Sequence, residues 1–207
     1  MICVVKIGGS LDADPSLSRW LALLSRAGRG RVVVVPGGGG FAARVRDAQA
    51  RWRFDDRVAH NMAVLAMVQY AMLMHGVCNA LVPATSPSAV RGAIEGGGVA
   101  LWMPFELLRE HEDALTTWNV TSDSLAAWLA DRLEASRLVL VKSCPIPYGA
   151  SLAQCADAGI VDLELPKLVR GARYSVELLH KGDLARMQRS LECGDATACQ
   201  ASSPPAA

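Results

Sequence analysis

The 207 residues are 51% hydrophobic and 20% charged, enough apolar surface for one sizeable core and too much for a disordered chain. The 21 Lys and Arg against 20 Asp and Glu leave a formal charge of +1 with no long basic run, which argues against a nucleic-acid partner, and no apolar run approaches the ~20 residues of a membrane span. The opening MICVVKIGGS has neither the basic nor the apolar region of a signal peptide, and the six cysteines are scattered without a CxxC pair, so free thiols and a cytoplasmic setting are expected.

Ile2 to Ile7 is an apolar, β-branched run stopped by Gly8-Gly9, the pattern of a buried strand. Pro15 opens a helix whose Leu17, Trp20, Leu21 and Leu24 repeat at 3.6-residue spacing, and Gly28 and Gly30 end it before a second buried strand, Arg31 to Val35. Pro36 and four glycines stop that strand. A helix from about Phe41 follows, then a longer one from Asp56 to Gly76, a strand near Ala80 to Pro83, and a short helix begun by Ser86-Pro87. Val99 to Met103 reads as a strand and Phe105 to His111 as helix or irregular chain. Thr121 or Ser122 caps a helix with Leu125, Trp128, Leu129 and Leu133 on one face, and Arg137 to Val141 is again a buried strand. A loop at Cys144 to Gly149, short helices near Ser151 to Ala158 and Pro166 to Arg170, a strand at Tyr174 to Leu179 and a last helix complete residues 1–192 as a single domain. The final stretch, 193–207, is expected to be a frayed tail, being poor in bulky apolar residues. Alternating apolar strands and helices predict an α/β three-layer αβα sandwich around a mostly parallel sheet.

Two strands end in glycine loops, Lys6-Ile7-Gly8-Gly9-Ser10 and Pro36-Gly37-Gly38-Gly39-Gly40. Ligands of open parallel sheets bind beyond the carboxyl ends of the strands, so both loops face one crevice, where glycine lets backbone N–H groups approach phosphate oxygens. Lys6, near the end of an apolar strand, would bury its charge unless an anion or a partner met it there, although it could also reach solvent. The pattern matches neither GxxxxGK[ST] nor GxGxxG. A third element, Trp118-Asn119-Val120-Thr121-Ser122-Asp123, leads into a helix and places Asp123 in its first turn, where an acid favours the helix dipole even without a catalytic role.

Together the three motifs resemble, in order and spacing, the K-x-G-G, V-x-G-G-G and N-V-x-x-D pattern of the amino acid kinase family, from Cys3 through at least Lys142. The resemblance implies ATP as phosphoryl donor with Mg2+ held mainly by the ATP phosphates and no direct protein ligand. It implies that Lys6, Gly8, Gly9 and Ser10 meet the transferred phosphoryl, that Gly37, Gly38 and Gly39 contact phosphates and substrate, that Asn119 touches a small-molecule acceptor, and that Asp123 orients the lysines. Such a reaction runs on positioning and on cations that neutralise the transferring oxygens.

Asp56 to Tyr70 carries an R-V-x-x-x-M-x-x-L-A texture similar to uridylate kinases, but His60 stands where those enzymes hold the nucleotide ribose with an aspartate. With W-N-V-T-S-D it looks more like the small branch that includes the archaeal (aminomethyl)furanmethyl-phosphate kinase of methanofuran biosynthesis and its methylotroph homologues. That branch implies Arg57 and His60 as substrate contacts, a phosphorylated acceptor and a diphosphate product, and the family implies a homo-oligomer. His60 could equally be a core histidine. After Val141 the chain lacks the Asp-Val-Asp-Gly-like turn of larger family members, leaving the adenine pocket undefined; Lys142, at a strand end beside the same crevice, is the candidate for the second phosphate lysine, with Lys181 after the last strand a weaker one. Other small phosphate esters or carboxylates as acceptors, and a non-catalytic anion-binding protein of the same fold, are the alternatives.

Overall fold

The computed structural model describes residues 1–193. Six parallel strands form one sheet: β1 (Cys3–Ile7), β2 (Val32–Pro36), β3 (Leu81–Ala84), β4 (Val99–Trp102), β5 (Arg137–Lys142) and β6 (Ser175–His180), in the order β3-β4-β2-β1-β5-β6. Eight helices cover it: α1 (Ser16–Ala27), α2 (Gly39–Trp52), α3 (Asp56–Val77), α4 (Pro87–Glu95), α5 (Ser122–Arg132), α6 (Leu152–Asp157), α7 (Leu165–Leu168) and α8 (Leu184–Cys193). The sandwich is thus the one expected, with the sheet wholly parallel.

The strands run apolar end to end because both sheet faces are covered. Alternation sends Val4, Val33, Val35, Leu138 and Leu140 to one face, against Val90 of α4 and Leu125, Ala126 and Leu129 of α5. It sends Val5, Ile7, Val34, Val139 and Val141 to the other, against Trp20, Leu21 and Leu24 of α1 and Met187 and Leu191 of α8. β3 is one of the two edge strands, and Pro83 is tolerated and exposed there.

Local chemistry accounts for the helix starts. Asp55 accepts from the Val58 nitrogen at 2.7 Å to begin α3, Ser86 from the Ala89 nitrogen at 3.2 Å to begin α4, and a reciprocal Ser151/Gln154 capping box begins α6. Most element ends fall within one or two residues of the sequence reading. α2 begins inside the glycine loop, at Gly39 rather than Phe41, since Gly39 itself takes the left-handed φ of +55° that turns strand into helix. Of the two readings of Phe105 to His111, helix or irregular, the structure bears out the irregular one, opened by a single 3-10 turn, Phe105–Leu107. Gly9–Leu11 form another 3-10 turn just after β1. Cys78, Cys144 and Cys155 are free thiols, whereas Cys199 and nearly all of the expected tail lie outside the described residues.

Candidate active site

From β1 the chain moves outward through β2 toward β4 and β3, then returns to place β5 on the other side of β1. The switch point of this sheet therefore lies at the carboxyl ends of β1 and β5. Lys6 is in register with Leu140, and Lys142 follows one pleat further along β5. Period-two alternation puts Lys6 with Val4, and Lys142 with Leu138 and Leu140, on the face that α5 covers. Both ammonium groups consequently meet the first turn of α5. Lys6 Nζ lies 2.7 Å from Asp123 Oδ1 as an ion pair, and Lys142 Nζ donates an aligned hydrogen bond to Asp123 Oδ2 at 2.5 Å.

All three side chains are buried, with Lys6 5%, Asp123 2% and Lys142 8% exposed. Burial alone would raise the Asp123 pKa, but the two lysines outweigh it and hold the carboxyl below the usual carboxylate range. Burial, then repulsion from Lys6, lowers Lys142 to about 8 against the attraction of Asp123. Two ammonium groups share one carboxylate, so the centre carries surplus positive charge beside the two glycine loops.

Those loops pack backbone on backbone. The Gly37 nitrogen donates to the Ile7 carbonyl at 2.9 Å, and the Gly8 nitrogen to the Val141 carbonyl at 3.1 Å. A Cβ on Gly37 would sit 2.4 Å from the Gly9 nitrogen, one on Gly9 2.4 Å from the Gly39 nitrogen, and one on Gly8 2.9 Å from the Val141 oxygen. Close packing thus accounts for Gly8 and Gly37, while Gly9, Gly38, Gly39 and Gly40 line a cavity of about 410 Å³ beyond the sheet. No side chain caps Gly38, so the first turn of α2 presents backbone N–H groups there, apart from that of Gly40, which donates to Asp12 Oδ2 at 2.6 Å. Ser10 lines the same cavity, and its Oγ meets Ser143 Oγ at 2.6 Å, joining the loops after β1 and β5. On the far side of the β5 loop a second cavity, about 510 Å³, lies among Pro145, Pro147, Tyr148, Val176, Leu178 and His180.

His60 lines the 410 Å³ cavity, and its Nε2 lies 2.9 Å from the Leu107 carbonyl. Burial holds the imidazole below its usual range, which favours the neutral ring, and because the carbonyl can only accept, Nε2 is the nitrogen that carries the proton. Asn61 exchanges two hydrogen bonds of 2.8 Å with the Arg109 backbone, and together the pair fastens the 103–121 segment to α3. The structure does not bring Arg57 or Asn119 into the cavity. Arg57 stays on the first turn of α3, 3.8 Å from Asp55. Asn119 is exposed at the corner of the Thr117–Val120 turn, which directs its neighbours Trp118 and Val120 to the cavity instead. Of the two later lysines only Lys142 joins Asp123, because Lys181 Nζ pairs with Asp14 at 2.5 Å.

One buried acid was passed over in the sequence. Asp162, between α6 and α7, accepts from the Thr121 nitrogen, Thr121 Oγ1 and the Ser124 nitrogen through Oδ2, and from Ser124 Oγ and the Leu165 nitrogen through Oδ1, at 2.5 to 2.9 Å. Thr121 and Asp162 therefore cap α5, which leaves the Asp123 carboxylate turned wholly to the lysines. The only sequence sign was an acid after an apolar pair, Ile160-Val161, just ahead of a proline-started helix.

Fold and site define a doubly covered α/β protein whose buried cations and glycine loops meet at the sheet's switch point. Residues 1–145 match the amino acid kinase family, and the chain belongs to it. It is 27% identical over 139 residues to the [5-(aminomethyl)furan-3-yl]methyl phosphate kinase of Methanocaldococcus jannaschii, an alignment covering 66% of this chain and 63% of that protein, just under two thirds of its length. Among solved structures it is similar to the uridylate kinase of Archaeoglobus fulgidus (TM-score 0.69, 15% identity, 93% of this chain and 96% of that one) and to an isopentenyl phosphate kinase (TM-score 0.61, 15% identity, 92% and 96%). At these identities the two structures share the fold.

Proposed function

We propose that the protein is an ATP-dependent kinase that transfers the γ-phosphoryl group to a small, phosphorylated metabolite, giving a diphosphate. Family membership and the name of the methanogen relative support this reading, and a furanmethyl phosphate-like acceptor in methanofuran-type cofactor biosynthesis is its specific form. The observation that carries it is the convergence of Lys6 and Lys142 on one buried carboxylate. Burying two ammonium groups against one acid is costly unless a further anion completes the balance.

The residues fit a polyphosphate. Glycine-loop N–H groups and the open start of α2 donate to phosphate oxygens, and Lys6 and Lys142 neutralise charge that grows on the transferring group. Asp123 fixes where the two ammonium groups stand, so the catalytic cations are organised before the substrate arrives. Magnesium, in this reading, is carried by the nucleotide's own phosphates, where it supplies further charge neutralisation, because Asp123 is already engaged by both lysines. No protein nucleophile is required, since the acceptor's oxygen attacks phosphorus directly.

The test is ADP release in the presence of ATP, Mg2+ and a panel of phosphorylated and carboxylate metabolites. Lys6→Ala leaves Lys142 and Asp123 as a balanced pair, so the variant keeps its fold while turnover falls roughly 10²- to 10³-fold, the scale of losing one electrostatic stabiliser. Wild-type turnover in a folded Lys6→Ala protein would refute the assignment. A wild-type protein that binds ATP yet releases no ADP with any acceptor would instead be a non-catalytic anion-binding protein.

A further inference from the structure

The proposed transfer uses the floor of the 410 Å³ cavity and leaves one wall without a role. On that wall α2 presents Gly39, Ala42, Ala43 and Arg46 at helical spacing. The first three have little or no side chain. Arg46 is the first long group on this face, and helical side chains lean toward the N-terminus, here toward the glycine loop.

Arg46 is held in a defined pose. Its guanidinium carbon lies 4.6 Å from the centre of the Trp118 ring, a cation–π contact. Trp118 is fixed in turn, because its Nε1 donates to Gln49 Oε1 at 2.6 Å. The Gln49 amide nitrogen donates to the Phe54 carbonyl at 3.2 Å and to Asp56 Oδ1 at 2.8 Å, so its oxygen is the end that receives the indole. No acid among the described residues forms a salt bridge with Arg46. The one carboxylate lining the cavity, Asp12, is turned to the Gly40 nitrogen. His60, the other basic side chain on the wall, is held toward its neutral form by burial.

A guanidinium lying on an indole keeps its in-plane N–H fork available, and that fork matches two oxygens of a phosphate. Around it Ala63, Val64, Met67 and Leu125 give an apolar surface for a small carbon skeleton. We infer that Arg46, oriented on Trp118 by Gln49, binds the phosphate the acceptor already carries and so selects phosphorylated acceptors over the corresponding alcohols and carboxylates. This rests on the kinase reading above and adds to it the residue that recognises the acceptor.

Calorimetric titration of the full chain with benzyl phosphate tests it, run with saturating magnesium and a non-hydrolysable ATP analogue so that the nucleotide's own phosphate sites are filled. Wild-type protein binds benzyl phosphate and takes up benzyl alcohol and benzoate far more weakly. Arg46→Gln weakens benzyl phosphate binding roughly 10- to 100-fold, the range for losing charge-assisted hydrogen bonds, and Arg46→Lys, which keeps the charge without the fork, falls between. Affinity in Arg46→Gln equal to wild type would overturn the inference and leave the kinase reading intact, the arginine then serving only to cover the indole. Benzoate bound as tightly as benzyl phosphate would overturn the phosphate selectivity. Wild-type protein that takes the ATP analogue but neither benzyl phosphate nor inorganic phosphate would sink both this inference and the phosphorylated-acceptor reading.

Discussion

Lys142 ties the charge of the centre to pH. Its ammonium, lowered to about 8 by burial and by Lys6, must keep its proton to neutralise phosphate oxygens. The kcat/KM profile, which reports the free enzyme, is therefore expected to fall above pH ~8, while bound nucleotide, being anionic, favours the charged lysine and moves the limb in kcat to higher pH. Stability moves the other way. The unfolded chain's lysine titrates near its ordinary 10.5, so between about 8 and 10.5 the unfolded state holds more protons and this group's contribution to stability rises with pH. Melting curves of wild type against Lys142→Met over that window should diverge in favour of wild type while its kcat/KM declines. Activity and relative stability falling together would mean alkaline unfolding rather than loss of one proton. The sequence offered Lys142 as the strand-end candidate and Lys181 as a weaker one, without the means to decide between them. What separated them was side-chain alternation and the distant acids Asp123 and Asp14, and long-range pairing leaves no mark in local periodicity.

The first turn of α5 is where one helix serves both lysines. Its capping shell is Thr121 and Asp162, and the 3-10 and irregular chain before it is fastened through His60 and Asn61. Asp162→Asn puts an amide NH2 against N–H and O–H donors, so it should cost about 2–4 kcal/mol and lower the melting temperature by roughly 5–15 °C. Because α5 carries Asp123, a shift of its start by an ångström can cost about 10²-fold in turnover. Asp162 also raises the Lys142 pKa through its charge, so the variant's alkaline limb should move to lower pH. A variant that melts early but keeps the wild-type limb would make Asp162 a cap and no more. The helix start was readable from Thr121 and Ser122, and the glycine loops from their sequence. Their mutual contact was not, because a 2.4 Å conflict between an added Gly9 Cβ and the Gly39 nitrogen belongs to two segments some 30 residues apart. Valine at Gly9 would force the loops apart, and its effect on activity would report packing before it reported phosphate.

Strand existence was legible throughout because buried parallel strands read as continuous apolar runs, but strand order was not, since β1 and β5 are neighbours across more than 130 residues. That order creates the site: with β1 beside β5, Lys6 and Lys142 reach one acid, and crevices open on either side of the β5 loop. The Arg46–Trp118 contact was hidden for the same reason, its partners lying on α2 and on the segment before α5. A site assembled from β1, α2, α5 and β5 couples its ligand to the whole fold, so a bound nucleotide should stabilise the molecule as a unit. At a concentration of an ATP analogue 100 times its dissociation constant the gain is about 2.7 kcal/mol, and for a chain of this size that raises the melting temperature by roughly 5–10 °C. Lys6→Ala should shrink the shift at the same analogue concentration, because it removes one of the two cations that hold the phosphates. An unchanged shift in Lys6→Ala would place nucleotide binding elsewhere on the molecule, and would leave the charge surplus around Asp123 without an anion to balance it.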